Sequence, residues 1–252
     1  MKETFENRNL EGSVFRNVNL HHAVFEDVNL QEVSIRNANL KDFSIDNAYI
    51  KGLTVFGLRV DLLIEAELDR RDPERVRLRM ADPYAPESVQ TVMKRLDEVR
   101  GEFCDTLRSE GPGLLVTRSS PEQWSVIEIV RHLVFAEDLY LNRWILRNDE
   151  PWAKLGLLPA FLADDPKYSE VGSEPTEDLE TVLAAWETLH TGTQKFVAGL
   201  TPEKLQRDTS DVDFGQGTVG QVLQGLAQHD LDHIRQAERV IATLRERGGC
   251  GL

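Results

Sequence analysis

The sequence is poor in positive charge and in cysteine, and it has no long run of apolar residues. Lys and Arg number 29 against 43 Asp and Glu, which gives a formal net charge of −14. Because nucleic-acid binding depends on cations that neutralise phosphates, this balance argues against nucleic-acid partners and against an anionic membrane surface. No stretch approaches the roughly 18 apolar residues that a bilayer-spanning helix needs, so we expect no membrane span.

The N-terminal stretch and the cysteines favour a cytoplasmic protein. The opening MKETFENRNL is polar and lacks the apolar segment of a secretory signal. Cys104 and Cys250 stand far apart and belong to no spaced cluster of the kind that binds zinc or builds a disulfide framework. A phosphate-cradling glycine loop and a Ser-His-Asp arrangement are also missing from the sequence. We therefore expect a reducing compartment, and chemistry that depends on other residues.

The first sixty residues repeat with a period of five. Every fifth residue is large and apolar, and an asparagine often stands immediately before it. These central positions are Leu10, Phe15, Leu20, Phe25, Leu30, Ile35, Leu40, Ile45, Ile50 and Val55. A period of five matches neither the 3.6 residues of an α-helical turn nor the alternation of a β-strand, so neither ordinary element is expected.

This pattern resembles the pentapeptide-repeat family, whose consensus A-(D/N)-L-x-x is matched by ANLKD at 38–42. The resemblance implies a right-handed, four-sided β-solenoid with four pentapeptides per coil, which we assign to residues 1–62. Some family members mimic DNA with long acidic solenoids. Residues 1–60 hold seven Lys or Arg and eight Asp or Glu, so this solenoid is nearly neutral and −13 of the net charge lies beyond it. A structural or docking module is the better interpretation.

Residues 63–86 are predicted to cap the solenoid and to link it to the next domain. Charges are dense here and three prolines occur. An open solenoid end exposes unpaired strand edges, and the apolar run Leu62, Leu63 and Ile64 is a candidate to cover them.

Residues 87–252 are predicted to form an all-α four-helix bundle, so the fold class is multidomain α and β. Four segments carry one apolar stripe each with helical spacing. The first stripe consists of Val89, Val92, Met93, Leu96, Val99, Phe103 and Leu107. The second helix is expected after SSPEQW at 119–124, where Ser119 or Ser120 can cap it and Pro121 can open the first turn. The long stretch 149–176 is either a lid or a surface loop whose apolar residues are tucked down.

Three of the six histidines fall on predicted inner faces of the bundle. His229 and His233 lie four apart in AQHDLDHIRQ, which on a helix separates them by about 40° and about 6 Å, so one metal could bind both. His132 lies on the inner stripe of the second helix. Bundles build metal sites from side chains of facing helices. The alternative is three core histidines, each with its own hydrogen-bond partner.

Two segments, WSVIEIVRHLVFAEDLYLNRW and HDLDHIRQ, resemble the DinB-like superfamily and its patterns W-S-x-x-E-x-x-x-H and H-x-x-x-H-x-x-Q. The matching positions are Trp124, Ser125, Glu128, His132, His229, His233 and Gln236. The resemblance implies a divalent metal, commonly zinc or nickel, held by the three histidines. The characterised enzymes of the family are mostly transferases and isomerases that use low-molecular-weight thiols such as mycothiol or bacillithiol.

Other polar residues near the motif have less specific interpretations. Glu128 could hydrogen-bond the second ring nitrogen of His132 or be a solvated helix residue. Gln236 matches the family pattern and could contact a ligand. His190 could line the pocket or be a hydrogen-bonded core histidine. Asp230 and Asp232 are expected to point away from the ligands as surface charges.

Three functions follow from these residues. The first is a metal-dependent thiol S-transferase or isomerase that acts on a small electrophile, since three histidines leave a coordination position open. The second is a hydrolase that uses water at the same site. The third is a non-catalytic, stress-related binding or assembly protein with the solenoid as its interaction module. A homodimer through the solenoid or the bundle is compatible with each.

Overall fold

The computed structural model describes residues 4–25, 28–45, 48, 50–121, 123–148, 151–159, 162–163, 165–210 and 217–249. The chain divides into two compact units, Met1–Phe43 and Ser44–Leu252. None of the helices within these ranges combines the length and the apolar composition that a bilayer span requires.

The N-terminal unit is a series of turns that recur every ten residues. The carbonyl oxygens of Leu10, Leu20, Leu30 and Leu40 each accept a hydrogen bond from the backbone amide three residues later. The side-chain oxygens of Asn9, Asn19, Asn29 and Asn39 each accept from the amide two residues later. This side-chain bond closes a local turn, which explains why asparagine precedes only every second apolar centre. Two pentapeptides therefore make one structural repeat.

The third residue of each turn has a left-handed backbone. Its φ lies between 60° and 74° at Gly12, His22, Glu32 and Asp42. A type II turn demands a positive φ at this position, and only Gly12 adopts it without a steric cost. The asparagine bond and the turn bond together hold the other three in place.

A closed β-solenoid is not confirmed for the N-terminal unit. Among its described residues none lies in a strand. The central apolar side chains from Phe5 to Leu40 are 44% to 61% exposed, whereas a closed solenoid would place them inside. The turns thus recur as the repeat predicts, and the coil remains a prediction.

A short hairpin leads into the first helix. Strands β1 (Thr54–Val55) and β2 (Leu58–Arg59) pair antiparallel across Phe56 and Gly57, both with positive φ. Helix α1 spans Val60–Arg71, where the sequence predicts a short helix or strand around residues 62–68. However, Leu62 and Leu63 on this helix are 59% and 60% exposed. Cover of the solenoid end by this apolar run therefore remains a prediction.

The stretch 63–86, predicted as a cap and linker, contributes to the core of the bundle. After α2 (Pro73–Arg77), the side chains of Leu78 and Met80 are 0% and 6% exposed within the main apolar core. The Leu78 carbonyl accepts hydrogen bonds from the side-chain amides of Gln224 and Gln228. This segment is therefore held by apolar burial and by polar bonds.

Four long helices form the bundle, as predicted. They are α3 (Pro86–Ser109), α5 (Val126–Glu137) with its π-helical continuation Asp138–Ile145, α6 (Leu179–Ala198) and α8 (Val219–Gly249). Short elements lie between them, namely α4 (Pro112–Val116), the 3-10 turn Pro166–Tyr168 and α7 (Pro202–Gln206). All seven residues of the predicted first stripe are buried, so that stripe is confirmed.

The second bundle helix begins after SSPEQW, as predicted, but the predicted cap is wrong. Ser125 caps the helix, not Ser119 or Ser120, and Pro121 lies outside its first turn. The Ser125 hydroxyl accepts from the Glu128 amide, and the Glu128 carboxylate accepts from the Ser125 amide. This capping box satisfies two backbone donors at once, which a proline at the first turn cannot do.

Where the structure describes it, the stretch 149–176 packs apolar side chains against α5. Trp152, Leu162 and Tyr168 join Phe135 of α5 in a second apolar cluster. This arrangement matches the tucked surface loop, and it carries the Leu157 carbonyl to the inner side of α5.

Substituting Leu78 by alanine tests whether this segment belongs to the bundle. We expect the Leu78→Ala variant to lose about 2–5 kcal/mol of unfolding free energy, because it opens a cavity at a fully buried position. Urea unfolding followed by tryptophan fluorescence measures the change. Leu62→Ala, at a position 59% exposed, is the control and should change stability by less than about 0.5 kcal/mol. Equal effects of the two substitutions would show that residue 78 lies in a loose linker.

Candidate metal centre

Helices α5 and α8 bring three histidine rings together. The ring centroids of His132 and His229 are 5.3 Å apart, those of His132 and His233 are 4.6 Å apart, and those of His229 and His233 are 4.4 Å apart. One ring nitrogen from each residue lies within 4.8 Å of the other two. The i, i+4 spacing on α8 and the direct packing of α5 produce this arrangement.

The outer nitrogens of two rings are already hydrogen-bonded. Nδ1 of His132 lies 3.1 Å from the carbonyl oxygen of Leu157, and Nδ1 of His233 lies 2.8 Å from Oε1 of Gln236. Because a carbonyl or amide oxygen only accepts, Nδ1 must carry the proton in both rings. This tautomer leaves Nε2 with its lone pair, the form that a metal ligand requires.

Burial keeps these two rings neutral at physiological pH. Removal from water and, to a smaller extent, the nearby His229 together lower the pKa of His132 to about 3. The same two causes, with His132 added, lower the pKa of His233 to about 2. A proton therefore does not compete with a cation for these nitrogens near pH 7.

The third ring is open to solvent on one side. The side chain of His229 is 23% exposed. Its Nδ1 atom is nevertheless buried and has no hydrogen-bond partner among the described residues. Three imidazoles thus converge, two of them kept neutral by burial and the third partly exposed to solvent.

A family model described as the DinB superfamily matches residues 111–237, which is half of the chain and includes all three histidines. The chain belongs to the DinB superfamily. A model of pentapeptide repeats, in eight copies, matches residues 6–42. Both predicted resemblances are confirmed. No curated protein and no solved structure matches the chain.

Aromatic side chains line the histidine cluster of this DinB domain. The Trp124 ring lies 4.8 Å from His132 and 6.3 Å from His233, centroid to centroid. The Tyr140 ring lies 5.7 Å from His229. Burial raises the pKa of Tyr140 to about 12, so its hydroxyl keeps the proton near neutral pH. Sequence reasoning gave no role to Tyr140, which lies in the π-helical segment, an element often found at functional sites.

Glu128 hydrogen-bonds Arg118 and Ser125, whereas its two interpretations were a bond to His132 or a solvated position. Its carboxylate accepts hydrogen bonds from the Arg118 side chain and from both the amide and the hydroxyl of Ser125. The Leu157 carbonyl is the partner of His132 Nδ1 that the first interpretation assigned to Glu128. Glu128 therefore fixes the start of α5 and acts on the cluster only through that helix.

His190 is a hydrogen-bonded core histidine, the second of its two interpretations. It is 3% exposed and does not belong to the cluster of three. Its Nε2 lies 2.6 Å from Asp97 Oδ1, and its Nδ1 lies 3.2 Å from Glu137 Oε1. Gln236, by contrast, contacts His233 directly.

The expectation that Asp230 is a surface charge is wrong. Its side chain is 0% exposed, because α3 covers this side of α8 and brings Arg100 Nη1 to 3.4 Å from Asp230 Oδ2. Burial raises the pKa of Asp230, and Arg100 opposes that shift. Asp232 is exposed as predicted and pairs with Arg75.

Proposed function

We propose that this DinB-domain chain is a divalent-metal-dependent enzyme that uses a low-molecular-weight thiol to transform a small electrophile. His132, His229 and His233 would hold the metal, which we take to be zinc or nickel. The observation that carries the proposal is the convergence of three imidazoles, one of them partly exposed to solvent.

The residues fit a divalent cation of this kind. Imidazole nitrogen suits zinc and nickel, whereas magnesium and calcium prefer oxygen ligands. The described cluster contains imidazoles alone and no carboxylate. Nitrogens within 4.8 Å of one another can reach one ion at about 2.1 Å after small side-chain rotations.

A bound cation would supply a positive charge that lowers the pKa of a thiol or a water. The chain's own residues would support this chemistry in three ways. The Leu157 carbonyl and Gln236 hold two of the rings in the tautomer that offers Nε2. Trp124 shields the site on the His132 side, which strengthens electrostatic interactions inside it. Tyr140 keeps a proton that it can donate in a hydrogen bond to an oxygen of the electrophile.

A non-catalytic binding role is the second candidate, and the N-terminal repeat favours it. Central apolar side chains such as Phe15 and Ile35 are 60% and 58% exposed, which suits a surface that contacts other molecules. Under this proposal the histidine cluster would bind metal without turnover.

A thiol-dependence assay distinguishes these functions. The full chain, loaded with zinc or nickel, is incubated with a panel of alkyl halides, epoxides and cis-enones, with and without mycothiol, bacillithiol or glutathione. We expect turnover only with a thiol, and a loss of more than about 100-fold in His229→Ala. His21→Ala, an exposed histidine in the repeat, is the control and should retain the activity. Turnover without thiol would favour a hydrolase, and metal binding without any turnover would favour the binding role.

A further inference from the structure

A buried ionic cluster lies directly behind His229. Arg100 of α3 places Nη1 at 2.8 Å from Glu137 Oε2 and at 3.4 Å from Asp230 Oδ2. The side chains of the three residues are 5%, 0% and 0% exposed. One guanidinium is thus shared by two carboxylates at buried positions, and the formal charges of the trio leave one surplus negative charge.

The surplus charge belongs mainly to Asp230. Glu137 is well compensated, since Arg100, His190 and the hydroxyl of Thr193 all surround its carboxylate. Among the described residues, Asp230 accepts one hydrogen bond, the longer contact from Arg100 to Oδ2, and its Oδ1 accepts none. A buried carboxylate with so few partners is costly, and such a group is retained where something else compensates it.

One carboxylate oxygen of Asp230 lies beside one ring nitrogen of His229, and both atoms lack a hydrogen bond among the described residues. Asp230 Oδ1 and His229 Nδ1 are both shielded from solvent, and neither has a hydrogen-bond partner among the described residues. They are 3.8 Å apart. One is an acceptor and the other can be a donor, so a shift of less than about 1 Å would satisfy both.

We infer that Asp230 is the positioning residue of the metal centre, accepting the Nδ1 proton of His229 so that Nε2 of that ring is directed to the cation. This inference rests on the proposed three-histidine metal site. All three rings then follow one rule, each donating from Nδ1 to a fixed acceptor, namely Leu157 O, Gln236 Oε1 and Asp230 Oδ1. The surplus negative charge of the buried trio compensates part of the charge of a divalent cation.

Zinc affinity of matched aspartate variants tests the inference. The metal-free full chain is titrated with Zn²⁺ in the presence of a competing chelator, for the wild type, Asp230→Asn and Asp232→Asn. We expect zinc affinity to fall about 10- to 100-fold in Asp230→Asn, because the amide cannot supply the negative charge. Asp232 lies on the exposed side of the same helix. The zinc affinity of Asp232→Asn should therefore remain within about 2-fold of the wild-type affinity.

Thermal unfolding separates positioning from a structural role. Removing an undercompensated buried charge should leave the melting temperature of the metal-free Asp230→Asn variant at or above that of the wild type. The increase in melting temperature on adding Zn²⁺ should shrink. Asp230→Ser serves as a second variant that also removes the carboxylate.

Two outcomes would overturn the inference, and they differ. Zinc affinity of both Asp230 variants within 2-fold of the wild type would show that Asp230 does not act on the site, while the proposed metal centre stands. A wild-type chain that binds no zinc would remove the proposed metal centre itself.

Discussion

Alanine at any one of His132, His229 and His233 is expected to abolish tight metal binding by the purified chain. The wild type should carry about one zinc or nickel ion per chain. With two imidazoles left, affinity should fall by more than the 10- to 100-fold that a change in a supporting residue costs. Elemental analysis of protein prepared without a histidine tag, before and after incubation with each metal, measures the ion content.

His21→Ala is the control for this experiment. His21 is exposed in the N-terminal repeat and lies outside the cluster of three. Its substitution should leave the metal content unchanged. A wild-type chain that takes up neither zinc nor nickel, or a His229→Ala variant that keeps a full equivalent, would refute the ligand assignment.

The histidine cluster could be predicted from the sequence because local spacing determines most of it. Four residues of α-helix bring His229 and His233 onto one face, and the inner stripe of α5 orients His132 toward them. Both inferences need only the helical period, and neither requires knowledge of contacts between distant segments. The same period correctly placed the buried stripe of α3.

The partners of the cluster could not be predicted, since they depend on contacts between distant segments. Every residue has a carbonyl, so nothing marks that of Leu157 as the acceptor for His132, 25 residues away. Asp230 lies one position from His229, and its burial depends on Arg100, 130 residues earlier. A helical wheel shows that Asp230 lies on a different side of α8 from the histidines. It does not show that α3 packs on that side.

The repeat and the start of α5 show two further limits. A period of five was evident, yet the structural repeat of ten depends on which centres carry the asparagine turn. At α5, proline and serine signals at 119–121 competed with the capping box of Ser125 and Glu128. The capping box prevailed because it satisfies backbone donors from both partners.

Replacing Arg100 by methionine is expected to cause the largest loss of stability among the arginine variants. Glu137 and Asp230 would be left without their shared cation at positions that are 0% exposed. Removing one partner of a buried ion pair typically costs about 3–5 kcal/mol, because the remaining charge stays out of water. Arg100→Met also loses the stacking of the guanidinium 3.8 Å from the centre of the Trp186 ring.

Arg108→Met is the matched control on the same helix. Arg108 pairs with Glu180 of α6, but the two side chains are 49% and 63% exposed. Solvent screens this pair, and its loss should cost less than about 1 kcal/mol. Urea unfolding of the metal-free chain compares the two variants. Trp124, Trp144, Trp152 and Trp186 are the 4 tryptophans of the chain and all lie in the DinB domain, so their fluorescence reports on that domain alone.

A double variant identifies the origin of the cost. If the buried, unpaired carboxylate is responsible, Arg100→Met combined with Glu137→Gln should recover part of the stability that Arg100→Met loses, because the amide removes the charge while keeping the shape. Strict additivity of the two substitutions would contradict this account, as would similar losses for Arg100→Met and Arg108→Met. Either result would mean that the stability of the bundle does not depend on the buried carboxylates next to His229. The guanidinium of Arg100, which both Glu137 and Asp230 share, predicts that it does.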